Sequence, residues 1–506
     1  MIVNLSLVSH TNAGKTTLAR TLLRRDIGEV RDEAHVTEAA EAHTLLTAPE
    51  GEQLVLWDTP GFGDSVRLLK RLRQSSSPIG WMLTQLWDRF ADRPFWSSQQ
   101  AVHHVQQESD VVLYVANANE DPRVAAYVDA ELQILDWIGK PAIVLLNQLG
   151  PPRAAELEQA EAAAWQGRLA GRGSVREVLA FDAFARCWVQ EDALLAAIEP
   201  LVPAAKRSAF GRLRTAWRTR NLEIFEQSMR LLAQQLASAA TDRETVAGHG
   251  LIDRARRWFA GLAAGTGASP DPGLERPMRA LAGRLDASVR ETTDALIALH
   301  GLSGHASREV LARFGTEYAV ARVADAGRAG LIGAVASGAL GGLAADLAAG
   351  GLSFGGGAVV GGVLGALGAG GLTHTYNLAR GIRHSTVGWS VEFLCERTAA
   401  ALLRYLAVAH FGRGRGGFVH GAIPTHWTQA VEAAIAAERT ALQSALRGAA
   451  SPAAAGSPAA IAATAALQPL VRQLGAATLG RLYAGTPLPQ APTVTATAAT
   501  GTATGP

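Results

Sequence analysis

Ser9-His10-Thr11-Asn12-Ala13-Gly14-Lys15-Thr16 follows a short apolar run at residues 2–8 and opens a stretch of helical periodicity. Strand, tight turn and helix start in that order form a loop whose successive backbone N–H groups face phosphate oxygens. Ser9, Asn12, Ala13, Gly14, Lys15, Thr16 and Thr17 are therefore the candidate phosphate-binding residues. The Lys15 ammonium would reach the β and γ oxygens, the Thr16 hydroxyl would ligate Mg²⁺, and the helix N-terminus adds its partial positive charge. The pattern G-x-x-x-x-G-K-[ST] is kept except at its first glycine, where Ser9 stands, and that turn is one that glycine adopts more easily.

Working outward, Leu54-Val55-Leu56-Trp57 reads as a buried strand and is followed by Asp58-Thr59-Pro60-Gly61, a D-x-x-G motif. Asp58 would hold Mg²⁺ through water and the Gly61 N–H would sense the terminal phosphate. Thr37, in His35-Val36-Thr37-Glu38, lies between the two motifs, where a hydroxyl could close over Mg²⁺ and the γ-phosphate. Thr37 also fits an ordinary loop hydroxyl, and chain order is its only support. Lys15, Thr37 and Gly61 are the candidate catalytic groups; Thr16, Thr37 and Asp58 are the candidate Mg²⁺ ligands.

With these motifs in place, the first 200 or so residues resemble the Era-type P-loop GTPases. The whole chain is similar to bacterial relatives in which such a domain precedes a C-terminal region of unknown function. The resemblance implies an α/β fold with a mainly parallel sheet and helices on both faces, GTP and Mg²⁺ as ligands, GTP hydrolysis, and switch loops that order with the γ-phosphate. Continuous apolar runs at 111–115 and 142–146 fit further core strands, because a sheet covered on both faces needs them.

Two departures bear on chemistry. The guanine-reading pattern Asn-Lys-x-Asp appears here as Asn147-Gln148-Leu149-Gly150, without its acid. A site lacking a buried hydrogen-bond partner loses discrimination. Asn147 can still contact the base, and Asp182, after the strand at 175–179, is a candidate substitute; an aspartate after a strand is also a common helix cap. Secondly, Phe62 follows Gly61 where Ras-type enzymes carry a water-orienting glutamine. Relatives with an apolar residue there include a subset using K⁺ held partly by a phosphate-loop asparagine, and Asn12 occupies the matching place. Capping of a turn is the other reading of Asn12.

The chain has 506 residues, enough for two or three domains, and its net charge of +2 makes no case for nucleic acid as a partner. Its 2 cysteines are too far apart for a disulfide framework or zinc spacing, which points to a reducing compartment. The first residues are those of a core strand, which predicts no secretory signal. Basic stretches at 206–220 and 254–257 read as solvated helix faces, with membrane-surface contact as the other reading, and His103-His104 read as surface residues.

The expected organisation is a nucleotide domain at 1–203, a helical effector domain at 204–486 and a disordered Thr/Ala/Pro/Gly tail at 487–506. Within the first, 65–109 is an insertion after the D-x-x-G loop, with an amphipathic helix at 66–72 and an apolar helix from Ile79 that ends near Pro94. It is a candidate element for self-association or effector binding. Within the second, 329–372 is a Gly/Ala-rich apolar helical hairpin whose only charge is Asp346, with small residues at every fourth position. Each arm approaches membrane thickness, and the small-residue spacing suits close helix packing in lipid; a buried soluble hairpin is the competing reading. The functional expectation is a GTP-binding, GTP-hydrolysing switch on the cytoplasmic face of the inner membrane. The alternatives are a soluble cytoplasmic nucleotide-dependent scaffold, or an RNA-related assembly GTPase, with slow or no hydrolysis.

Overall fold

The computed structural model describes residues 1–10, 13–23, 40–62, 65–74, 77–78, 80, 93–120, 126–150, 152–183, 186–246, 272–302, 385–389, 391–410, 423–450 and 457–484. Its N-terminal part alternates strands and helices: β1 (Ile2–Ser9), α1 (Lys15–Leu23), β2 (Glu41–Thr47), β3 (Gln53–Asp58), α2 (Ser65–Leu72), α3 (Arg93–Glu108), β4 (Val111–Asn117), α4 (Ala126–Ile138), β5 (Ala142–Asn147), α5 (Ala155–Arg168), β6 (Val175–Ala180) and α6 (Trp188–Ile198). The six strands are ordered β2-β3-β1-β4-β5-β6, and all neighbouring pairs are parallel except β2 with β3.

Residue parity along each strand explains the layering. Leu5, Leu7, Leu113, Val115, Ile143 and Leu145 face a core made with α1 and α6. Val112, Tyr114, Val144 and Leu146 face the opposite core, made with α2, α3, α4 and α5. Side chains alternate across a strand, so a sheet wrapped on both faces needs apolar residues at every position.

The rest is mainly helical: α7 (Arg207–Thr241), β7 (Arg243–Val246), α8 (Pro272–Leu299), β8 (Ser385–Gly388), α9 (Val391–His410), α10 (Thr425–Ala437), α11 (Arg439–Ala449) and α12 (Ser457–Leu482). With 35 residues, α7 is roughly 50 Å long. Phe210, Leu213 and Trp217 pack on the sheet, while Phe225, Met229, Leu232 and Leu236 enter the helical core. One helix thus contributes to both cores. Gly475 lets α12 lie close along α7, since a β-carbon there would meet Met229 Sδ at 2.6 Å.

Several local expectations change. Pro94 is the second residue of α3, a position where proline is tolerated, so it begins a helix instead of ending one. His104 is buried, 7% exposed, between Ser6 and the Trp57 ring. Four basic residues of the 206–220 stretch form ion pairs: Lys206 with Asp110, Arg212 with Glu52, and Arg214 and Arg218 with Asp192. The helical region expected from 204 onward also holds one short antiparallel strand pair, β7 with β8. Among the described residues no helix is long and apolar enough to cross a membrane. The hairpin at 329–372, most of the helix from Ile79 and the tail at 487–506 lie outside the described residues.

Candidate functional site

The site lies at the C-terminal ends of β1, β3 and β5. Between β1 and α1, Gly14 has φ +85°, and a β-carbon there would stand 2.5 Å from Asn147 Nδ2. Only glycine suits both constraints. Ser9, by contrast, is not among the described residues with positive φ, so serine needs no strained backbone there. Its hydroxyl donates to the His10 carbonyl at 2.7 Å.

Lys15 and Thr16 begin α1 and converge on Asp58 at the end of β3. Lys15 Nζ donates to Asp58 Oδ1 at 2.7 Å, and the Thr16 hydroxyl donates to Oδ2 at 2.6 Å. Lys15 and Asp58 are both buried. Thr59 ties the same loop to β1 by donating to the Leu7 carbonyl at 2.6 Å. Gly61 accepts from the Ser97 hydroxyl at 3.2 Å, and Phe62 is wholly buried against Val8 and Leu68. Packed in this way, Phe62 has no means of orienting water. Thr17 lies half-buried in the first turn of α1. Asn12 and Thr37 lie outside the described residues.

At the other end, Asn147 is a bridge between loops. Its Nδ2 donates to the Ala13 carbonyl at 2.9 Å and its Oδ1 accepts from the Ala183 N–H at 2.8 Å. Gln148 has φ +61° and Gly150 φ +82°, so the loop after β5 turns through left-handed backbone at two positions. Asp182 braces that loop by accepting from the Leu149 N–H at 2.8 Å. The Asn119 amide donates to the Gln148 carbonyl at 2.8 Å. Asp182 and Asn147, 35 positions apart, therefore meet at one loop.

Sequence reasoning missed three supporting groups. Arg186 is 1% exposed and joins Asp182 O at 3.0 Å, Thr21 Oγ1 at 2.8 Å and Glu191 Oε1 at 3.1 Å. His10 and Glu131 meet beneath the phosphate loop, His10 Nδ1 to Oε1 at 2.7 Å. Desolvation holds the Glu131 carboxyl above its ordinary pKa, against the opposing pull of His10 and Tyr114. His10 sits inside the motif, but nothing in the spacing announced a carboxylate 121 residues away.

The donor set fits a Mg²⁺–phosphate group: an ammonium, a hydroxyl and a carboxylate on adjoining motifs, beside a glycine that keeps a side chain out of the loop. Comparison with known families agrees. Residues 4–148 match the family described as 50S ribosome-binding GTPase. Residues 170–474, more than half of the chain, match the family described as Domain of unknown function (DUF3482).

The chain belongs to the DUF3482 family.

No curated protein matches this DUF3482 chain. Among solved structures, a variant of Aquifex aeolicus Era bound to GDP·AlF4⁻, and Era in complex with MgGDPNP and a segment of 16S ribosomal RNA, are each 17% identical to it, with a TM-score of 0.30. Each alignment covers 40% of this chain and 57% of the other. A variant of S. thermophilus NFeoB bound to GDP·AlF4⁻ is 15% identical over 44% of this chain and 80% of its own, with a TM-score of 0.23. The chain thus spans little more than half the length of the Era structures. The match to a GTPase family, together with the motifs it spans, supports binding of a guanine nucleotide by the N-terminal α/β domain.

Proposed function

We propose that this chain is an Era-type GTP-hydrolysing switch in which 1–203 binds the nucleotide and 204–486 is the effector domain. The observation that carries the reading is the convergence of Lys15 and Thr16 on Asp58, with Asn147 bridging the phosphate and base loops. Lys15 and the loop N–H groups would bind the phosphates, Thr16, Asp58 and Thr37 would hold Mg²⁺, and Gly61 would sense the γ-phosphate. Mg²⁺, when bound, neutralises charge that develops on the phosphate oxygens. Asn147 and Asp182 would face the base.

Burial of Phe62 favours slow intrinsic hydrolysis. Asn12 is the residue we assign to a K⁺ that would supply positive charge in place of the missing glutamine. Isothermal calorimetry with Mg·GTP and Mg·ATP, followed by phosphate release in K⁺ and in Na⁺, tests the reading. Micromolar or tighter GTP binding with release faster in K⁺ is expected. Equal affinity for ATP and GTP would remove guanine selectivity, and equal release in the two salts would remove the K⁺ role.

The effector work we assign to the membrane. Residues 329–372 would enter the bilayer from the cytoplasmic face, flanked by Arg322 and Arg328 before and Arg380 and Arg383 after, as positive residues favour the cytoplasmic side. The segment 65–109 is the proposed contact for a second copy or an effector protein. Carbonate extraction of membranes and outside labelling of an Asp346→Cys variant decide the membrane part: a chain fully released by carbonate and unlabelled at position 346 is not an inserted one.

A further inference from the structure

Glu131 belongs to none of the nucleotide motifs, yet it is a carboxylate with 0% exposure in the middle of the nucleotide domain. A buried carboxylate is retained at a heavy desolvation cost unless its oxygens are hydrogen-bonded. Here Oε1 takes His10 Nδ1 at 2.7 Å and Oε2 takes the Tyr114 hydroxyl at 2.7 Å. Tyr114 belongs to β4 and lies in the core, so one oxygen is anchored to the sheet. The other holds the second residue of the phosphate loop.

His10 is fixed from several sides. Its ring stacks on Tyr127, one turn before Glu131 on α4, with centroids 4.3 Å apart. Its backbone forms a parallel bridge with Phe62, and the Phe62 N–H donates to the Ser9 carbonyl at 2.9 Å. Phe62 is the residue after Gly61, so the contacts of Ser9 and His10 anchor the Gly61–Phe62 peptide at the end of the D-x-x-G loop. The helix leading away from this loop, α2, packs along α4, the helix that carries Glu131. Phosphate loop, D-x-x-G loop and α4 therefore share one buried junction, and the Glu131 carboxyl lies within it.

We propose that Glu131 is a positioning residue for the γ-phosphate end of the site, acting through His10 to hold the first half of the phosphate loop against the loop that carries Gly61. The inference rests on the GTP-switch reading above. It distinguishes two parts of the phosphate loop by the groups that hold them: Ser9 and His10 are held by Phe62 and Glu131, whereas Ala13 is held by Asn147 and joined to His10 through its own N–H. Loss of the first support should be felt by a triphosphate more than by a diphosphate, because the D-x-x-G loop answers to the γ-phosphate.

The test uses the full chain and measures Mg²⁺-dependent binding of GDPNP and of GDP to the wild type, Glu131→Gln, His10→Ala and the double variant. A hydrogen bond to a charged group is worth about tenfold in affinity or somewhat more. Each single variant is expected to weaken GDPNP about tenfold while moving GDP by less than about threefold. The double variant should be no more than about twofold weaker than the worse single one, since both changes cut the same link. Glu131→Gln keeps the side-chain volume; should it fail to fold, His10→Ala, whose ring is 33% exposed, carries the test alone. Parallel loss of both nucleotides would mean general loosening and would overturn the proposal, as would unchanged affinities. A wild type that binds neither nucleotide sinks the GTP-switch reading itself, and the role of Glu131 with it.

Discussion

Lys15 Nζ lies 2.7 Å from Asp58 Oδ1, which joins the phosphate-loop lysine directly to the carboxylate of the second motif. Both side chains are under 10% exposed, so each neutralises a charge that would otherwise be buried alone. Lys15→Ala should therefore do two things. It should abolish GTP binding in calorimetry, and it should lower the unfolding free energy of the nucleotide-free protein, read from denaturant curves, by roughly 3 kcal/mol or less, because Thr16 still donates to Asp58. GTP binding retained in this variant would refute the phosphate-loop assignment.

Asp182 lies outside the Asn147-Gln148-Leu149-Gly150 motif, yet its carboxylate braces that loop. It accepts from the Leu149 N–H at 2.8 Å, in a loop where Gln148 is held at φ +61°. A non-glycine residue in that region needs support from its surroundings. Asp182→Ala should release the loop, lower GTP affinity about tenfold and draw the GTP-to-ATP affinity ratio towards one. Asp182→Asn, which can still accept the bond, should lose less. Competition binding with both nucleotides measures the ratio, and an unchanged ratio in Asp182→Ala would separate Asp182 from base recognition.

The legible parts of this molecule are those whose signal is local. Strands at 2–8, 54–57, 111–115, 142–146 and 175–179 announce themselves because burial on both faces demands unbroken apolar runs. β2 does not, since it is an antiparallel edge strand in which Glu41, Ala42 and Thr44 remain exposed. Lys15, Thr16 and Asp58 were readable from fixed spacing. The bonds of Asn147 to Ala13 and Ala183, and of Glu131 to His10, join residues far apart in sequence, and the fold alone brings them together. The same holds for α7: its helical spacing is plain, but nothing in it marks where packing passes from the sheet to the helical core.

His104 should make the nucleotide domain less stable on acidification. Burial lowers its pKa below the usual histidine value; Glu108 pulls it up and His103 pushes it down. Above about pH 6.5 neither folded nor unfolded chain is protonated at this residue. As pH falls below that value the unfolded chain takes the proton first, so stability is lost on acidification down to the folded-state pKa. His104→Gln, which keeps a partner for Ser6, should reduce the fall in denaturant midpoint between pH 7.5 and 5.5. An identical fall in both proteins would show that other groups cause it.

Arg186 and Glu191 form a buried ion pair, 1% and 2% exposed at the side chain, where the base loop meets the helical region. The Arg186 guanidinium also reaches Asp182 O and Thr21 Oγ1 and lies 4.9 Å from the Phe181 ring centroid. Its backbone N–H donates to the His410 carbonyl at the end of α9, at 3.3 Å. Removing one member of such a pair strands the other charge in a dry site, which costs about 3–5 kcal/mol, whereas replacing both by apolar groups of similar volume is often mild. Arg186→Leu should accordingly destabilise the chain by roughly that amount and weaken nucleotide binding, since Asp182 loses the group that holds its backbone. Arg186→Leu combined with Glu191→Leu should recover most of the stability but not the nucleotide affinity, because the bond to Asp182 remains broken. Urea midpoints and GTP affinities for the two single variants and the double one complete the cycle. A double variant as unstable as Arg186→Leu alone would mean that the arginine acts through packing and its bonds to Asp182 and Thr21, not through its charge on Glu191.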